Sequence, residues 1–73
     1  MRIALINPNS TEAMNAAVEA GAARIAAEYP SLMAYTCCVE ESPALINSDV
    51  DEVRAAYWTL PKAQTLADSC DGF

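Results

Sequence analysis

Histidine is absent from the 73 residues, and cationic side chains are scarce: Arg2, Arg24, Arg54 and Lys62 face ten Asp and Glu, for a net charge of −6. Polyanion binding draws on clustered Lys and Arg, so neither nucleic acid nor an anionic membrane is expected as a partner. Long apolar runs are missing too. No stretch approaches the roughly 20 apolar residues that span a bilayer, and the amino-terminal run is short and lacks a small-residue cleavage pattern. The chain therefore reads as cytoplasmic. Cysteine is limited to Cys37, Cys38 and Cys70, an odd number whose adjacent pair would point to opposite faces of a strand. With no histidine beside them, neither a disulfide framework nor a zinc site is expected, and no metal or cofactor is implied.

What is present is a small α/β pattern. The hydrophobic share is 53%, but much of it is alanine, which buries little area. A chain of this size buries only about 60% of its unfolded surface, so one domain at most is expected, and an incomplete one at that. Residues 2–6 carry the uninterrupted apolar run Ile3, Ala4, Leu5 and Ile6, the signature of a strand covered on both faces. The polar stretch Asn7, Pro8, Asn9, Ser10 and Thr11 follows at once. In open α/β sheets ligands sit at that junction, outside the carboxyl end of a strand.

A helix is expected from about Ser10, with Asn9 as N-cap and Glu12 at the third helical position in a capping-box arrangement. Met14, Val18, Ala22, Ile25 and Tyr29 then form an apolar stripe for packing on the sheet. Gly21 costs about 1 kcal/mol in that helix unless close packing offsets it. Pro30 ends the helix. Residues 32–39 read as a second buried strand, which makes the unit βαβ and hence parallel. Glu40, Glu41, Ser42 and Pro43 form a polar loop. Ser48, with Asp51 three residues on, signals another helix start, continued by Val50, Val53, Ala56 and Tyr57. Pro61 is expected to divide this region into a helix ending near Trp58 and another starting near Pro61, with Ala63, Leu66 and Ala67 as its apolar side. Asp71-Gly72 reads as the turn into a third strand beginning at Phe73.

The opening MRIALINPNST, together with SPALINSDVDEVRAAYWTL at 42–60 and DSCDGF at 68–73, resembles the amino-terminal part of the aspartate/glutamate/hydantoin racemase superfamily, most closely its hydantoin/allantoin branch. Ser42-Pro43 departs from the family's Gly-Pro at the second substrate loop. The resemblance implies the βαβ start of a flavodoxin-like parallel sheet, with residues 1–73 forming an incomplete amino-terminal part of one lobe. It also implies a cofactor-independent racemase, acting on a hydantoin or amino acid, in which one cysteine from each of two lobes exchanges a proton at the substrate's α-carbon. Homo-oligomers are expected. Asn7, Pro8, Asn9, Ser10 and Thr11 would bind the substrate. The first catalytic cysteine is implied at the far end of the third strand, after Phe73, and the second in the other lobe, so no catalytic residue is expected within 1–73.

Cys70 precedes Asp71-Gly72 and so falls at the wrong end of the sheet to substitute. Cys37 and Cys38 read as strand core. Free amides at Asn9, Ser10 and Thr11 are expected to offer donors to a developing enolate. Glu40 and Glu41 read as solvated acids, Tyr57 and Trp58 as core or interface aromatics, and Ser48, Asp49, Asp51 and Glu52 as a helix start favoured by the dipole rather than a metal cluster. Two other readings stay open: a flavodoxin-like phosphate-binding module, disfavoured because the first loop has no glycine, and an inactive remnant stabilised by association.

Overall fold

Strands β1 (Arg2–Asn7) and β2 (Met33–Cys38) lie parallel and adjacent in the computed structural model, which describes residues 1–73. Their register runs from Arg2 opposite Met33 to Asn7 opposite Cys38. A parallel pair needs a crossover, and helix α1 (Glu12–Glu28) supplies it. Helix α2 (Asp49–Leu66) and a 3₁₀ turn (Ala67–Ser69) follow, and Gly72 then meets Ile3 in an isolated parallel bridge. The chain is therefore α/β, built on a βαβ unit.

Side-chain alternation shows where the helices lie. Cys38 reaches Glu12 at the start of α1, whereas the adjacent Cys37 feels the charge of Lys62 on α2. Neighbouring residues of a strand face opposite sides, so α1 and α2 cover opposite faces of the sheet. Little is fully enclosed between them. Ala4, Val39 and Ala55 are almost completely buried, and Val39 is the only larger side chain among them.

Four expectations change. Helix α1 begins at Glu12, not near Ser10, and its N-cap is Thr11, which makes no side-chain capping bond. Glu12 therefore sits in the first position of the helix rather than the third, and no capping box forms. The stripe on α1 does not become core: Met14, Val18, Ile25 and Tyr29 are all exposed. Of the expected stripe only Ala22 lies on the inner face, where it joins Ala23 and Ala26 beside Ala34 and Thr36 of β2. The sheet is only two full strands wide, and Val18 overhangs the outer edge of β1.

Gly21 is not closely packed either. A Cβ there would meet only the Arg24 guanidinium, 3.8 Å away, so nothing offsets its helical cost. Pro61 does not divide the second helix, which runs unbroken through it. Ser48 caps that helix as expected, its hydroxyl accepting from the Asp51 amide at 3.2 Å. The expected third strand is represented by the Gly72 bridge, and Phe73 beside it is exposed.

Candidate functional site

The site begins where β1 stops. Asn9, only 6% exposed, organises the turn through its side chain. Its Oδ1 accepts from the Asn7 Nδ2 at 2.9 Å and from the Thr11 amide at 3.0 Å, and its Nδ2 lies 3.3 Å from the Met14 sulfur. The bond to the amide two residues ahead is an Asx turn, which competes with capping and explains the later start of α1.

This loop is fastened to the one after β2. Val39 donates its amide to the Asn9 carbonyl at 3.1 Å, and Ser10 donates to the Pro43 carbonyl at 3.2 Å. The Thr11 hydroxyl donates to the Ala44 carbonyl. The two loops at the carboxyl ends of the strands thus form one hydrogen-bonded unit. Ser42 lies within it, 6% exposed, with its hydroxyl unpartnered.

Among the five sequence-predicted binding residues the roles divide. Asn7, Asn9 and Thr11 spend side-chain groups on holding the loop, and Pro8 is exposed. The Ser10 hydroxyl makes no bond within the protein. The amides of Asn9, Ser10 and Thr11 are not free as expected, because Asn7 Oδ1, the Pro43 carbonyl and Asn9 Oδ1 accept from them. The unbonded amides lie one turn later, at Glu12, Ala13 and Met14, where the helix has no preceding carbonyl to use.

A hollow of about 620 Å³ opens beside Asn7 and Pro8, along the edge of β1 that β2 does not occupy. Val18 reaches it from α1, Thr59 and Ala63 from α2, and Phe73 from the chain end. Sequence reasoning missed Thr59 and read Ala63 only as part of a helix's apolar side. Their signal was the i, i+4 series Ala55, Thr59, Ala63, a row of small side chains that lets a helix approach a sheet. The Thr59 hydroxyl is buried without a hydrogen-bond partner.

The cysteines divide in the same way. Cys38 stands at the carboxyl end of β2, opposite Asn7, with its Sγ 3.7 Å from Glu12 Oε1. Burial pushes this thiol above its usual range, and the carboxylate of Glu12, which also accepts its hydrogen bond, and that of Glu40 push the same way. Burial raises Cys37 as well, partly offset by the Lys62 charge. Both are protonated thiols at neutral pH and poor proton acceptors. Cys70 donates to the Leu66 carbonyl at 3.2 Å and shares a hollow with Arg2 and Met33, at the amino ends of the strands and away from Asn7.

Glu40 and Glu41 are exposed, and with Lys62 and Thr65 they border a polar hollow. Tyr57 and Trp58 meet edge to face, with ring centroids 4.9 Å apart, yet both remain exposed rather than in the core. No three His, Cys, Asp or Glu side chains gather as metal ligands, and no helix is long and apolar enough to cross a membrane. Comparison with protein-family models, with curated proteins and with solved structures gives no match to this chain.

Proposed function

We propose that residues 1–73 are the amino-terminal part of a lobe of a cofactor-independent racemase, within a flavodoxin-like parallel sheet. Their task is to hold a hydantoin or amino-acid substrate at the loop after β1. The observation that carries this reading is the position of that loop: the Asn7, Pro8, Asn9, Ser10, Thr11 turn is fixed at the carboxyl end of β1, and its Asn7 and Pro8 border an open hollow. A loop already stiffened by its own hydrogen bonds loses little entropy when it binds. The Ser10 hydroxyl, left without an internal partner, is the group suited to a substrate carboxylate or ring carbonyl.

Proton transfer does not belong to these residues. Cys37 and Cys38 are buried with raised pKa values, and Cys70 is at the opposite end of the strands. The parent enzyme, a cytoplasmic homo-oligomer on this reading, takes both catalytic thiols from elsewhere. The phosphate-binding alternative gains nothing from the site, since the loop's amides at Ser10 and Thr11 are spent and the first helical residue, Glu12, is itself an acid.

Titration of isotope-labelled chain with a 5-substituted hydantoin, and separately with an amino acid, tests the reading. Amide shifts centred on residues 7–11 are expected at millimolar ligand, weakened several-fold by Ser10→Ala, with no exchange of the substrate's α-hydrogen into heavy water above background. Shifts absent with both ligands would remove the proposal, and equal shifts with inorganic phosphate would favour the alternative.

A further inference from the structure

We infer that the hollow at the amino ends of the strands is a binding site for a small carboxylate with a compact aromatic body. It lies at the opposite end of β1 from the loop at residues 7–11, so the inference is independent of the racemase reading.

Its floor and walls come from elements fixed within the chain. Arg2 pairs with Met33 and Ala4 with Tyr35 across the parallel strands, and partners in register face the same side of a sheet. Cys37, two residues beyond Tyr35, lies on the α2 side, so all four side chains project that way. The helix stops short of covering them. It ends at Leu66, and the 3₁₀ turn at Ala67–Ser69 carries the chain back to Asp71, whose amide donates to the Arg2 carbonyl at 2.6 Å. Between the strand pair and this turn remains a space of about 380 Å³, with Met33 66% and Tyr35 55% exposed along it. The parallel bridge between Gly72 and Ile3 directs the chain toward the carboxyl end of β1, on the edge away from β2. That path leads out of this space rather than into it.

The polar groups left over here are donors. The Ser69 hydroxyl and the Cys70 thiol both donate to the Leu66 carbonyl, at 3.0 and 3.2 Å, and the Asp71 carboxylate accepts from the Arg2 main-chain amide at 2.7 Å. The Arg2 guanidinium and the Tyr35 hydroxyl have no hydrogen-bond partner in the protein, and none of the nine lining residues is acidic. An unmatched guanidinium, in a chain with ten acids and four bases, sets the sign of the ligand, and its fork of N–H donors suits a carboxylate. The walls set the rest. Seven of the nine are hydrophobic, and an apolar lining with few polar groups at this volume is the composition of small-molecule sites. Tyr35 offers a ring and Met33 a thioether, which both favour an aromatic partner. An inorganic anion would leave that apolar surface wet, and a hydrocarbon would leave the guanidinium unused.

The test titrates the full 73-residue chain, isotope-labelled, with 3-phenylpropionate. Shifts at millimolar ligand should centre on Met33, Tyr35, Leu66 and Cys70, while residues 7–11 stay in place. Two comparisons read the charge. The neutral 3-phenylpropanamide should bind about fivefold more weakly, and Arg2→Gln should bring the acid down to the level of the amide without altering the binding of the amide itself. Alkylation of Cys70 by iodoacetamide gives a second readout: saturating 3-phenylpropionate should slow it several-fold, and propionate at the same concentration should not. Absence of shifts at residues 33, 35, 66 and 70 would overturn the inference. So would equal binding of acid and amide, which would leave an apolar hollow without charge selection, and equal protection of Cys70 by propionate, which would remove the aromatic requirement. Shifts confined to residues 7–11 would overturn it as well, by assigning the carboxylate to the loop at the other end of the strands.

Discussion

Cys37 and Cys38 share a peptide bond but not an environment. One lies under α2 near Lys62 and the other under α1 against Glu12, and burial raises both thiols above the ordinary value of 9.0. The unfolded chain therefore gives up these protons first as pH rises. Fewer bound protons in the unfolded state mean that stability falls with pH. The contribution of the two thiols is intact below about pH 9 and is lost as pH climbs toward their folded values. Thermal melts across about pH 7.5 to 10.5 should show a declining Tm. In Cys37→Ala/Cys38→Ala the Tm is lower at neutral pH, because two buried side chains are truncated, but the decline is shallower. Parallel slopes for the two proteins would show that other groups govern the alkaline loss. The sequence gives the opposite-facing arrangement directly from strand alternation. It gives no hint of Glu12 as the partner, because Glu12 also fits a capping box, and only the tertiary position of α1 decides between the two roles.

At the scale of elements, α2 shows where local rules lose to context. Proline lacks the amide that would bond to the Tyr57 carbonyl and crowds that turn, a cost of about 3 kcal/mol in a helix interior. That cost predicted a break at Pro61. The helix persists because both of its halves are held: Ser48 caps the start, and Ala55, Thr59 and Ala63 keep a small-residue face against β1 on either side of the proline. Pro61 and Tyr57 are both exposed, so water can satisfy the freed carbonyl.

Pro61→Ala should accordingly stabilise the chain by about 2–2.6 kcal/mol, after allowing for the roughly 0.4–1 kcal/mol by which proline restrains the unfolded state. In a domain of this size that corresponds to about 4–8 °C in Tm per kcal/mol. A Tm lowered by the substitution would mean that the ring itself packs, against Trp58 or Lys62 across the polar hollow they share. The strands and the crossover helix were legible from apolar runs and from Pro30. The sheet-facing side of α1 was legible only at Ala22, since hydrophobicity pointed to the large members of the stripe while geometry near a narrow sheet selected Ala22, Ala23 and Ala26.

The whole molecule is less compact than its length allows. A folded chain of 7.8 kDa is expected to expose about 4,400 Å² and to have a radius of gyration of about 11 Å. The values here are 5046 Å² and 12.8 Å. With that little burial, electrostatic self-repulsion weighs heavily, because a net charge of −6 opposes the compact state over distances that dilute buffer does not screen. Raising sodium chloride from about 0.02 M to about 0.3 M brings the Debye length well below the size of the molecule. Stability should rise by on the order of 1 kcal/mol, seen as a Tm higher by several degrees.

A salt response alone has two possible origins, since salts also alter the hydration of exposed apolar side chains, of which Val53, Tyr57 and Leu60 are examples. Glu40→Gln/Glu41→Gln separates them. Both side chains are exposed on the loop after β2, and their neutralisation removes two of the excess negative charges while leaving the apolar surface intact. If repulsion governs, this variant starts with a higher Tm in dilute buffer and gains less from salt, so the two melting curves converge as salt increases. If apolar hydration governs, the two proteins rise in parallel, and the acidic composition then affects solubility and encounter with partners rather than the stability of the fold.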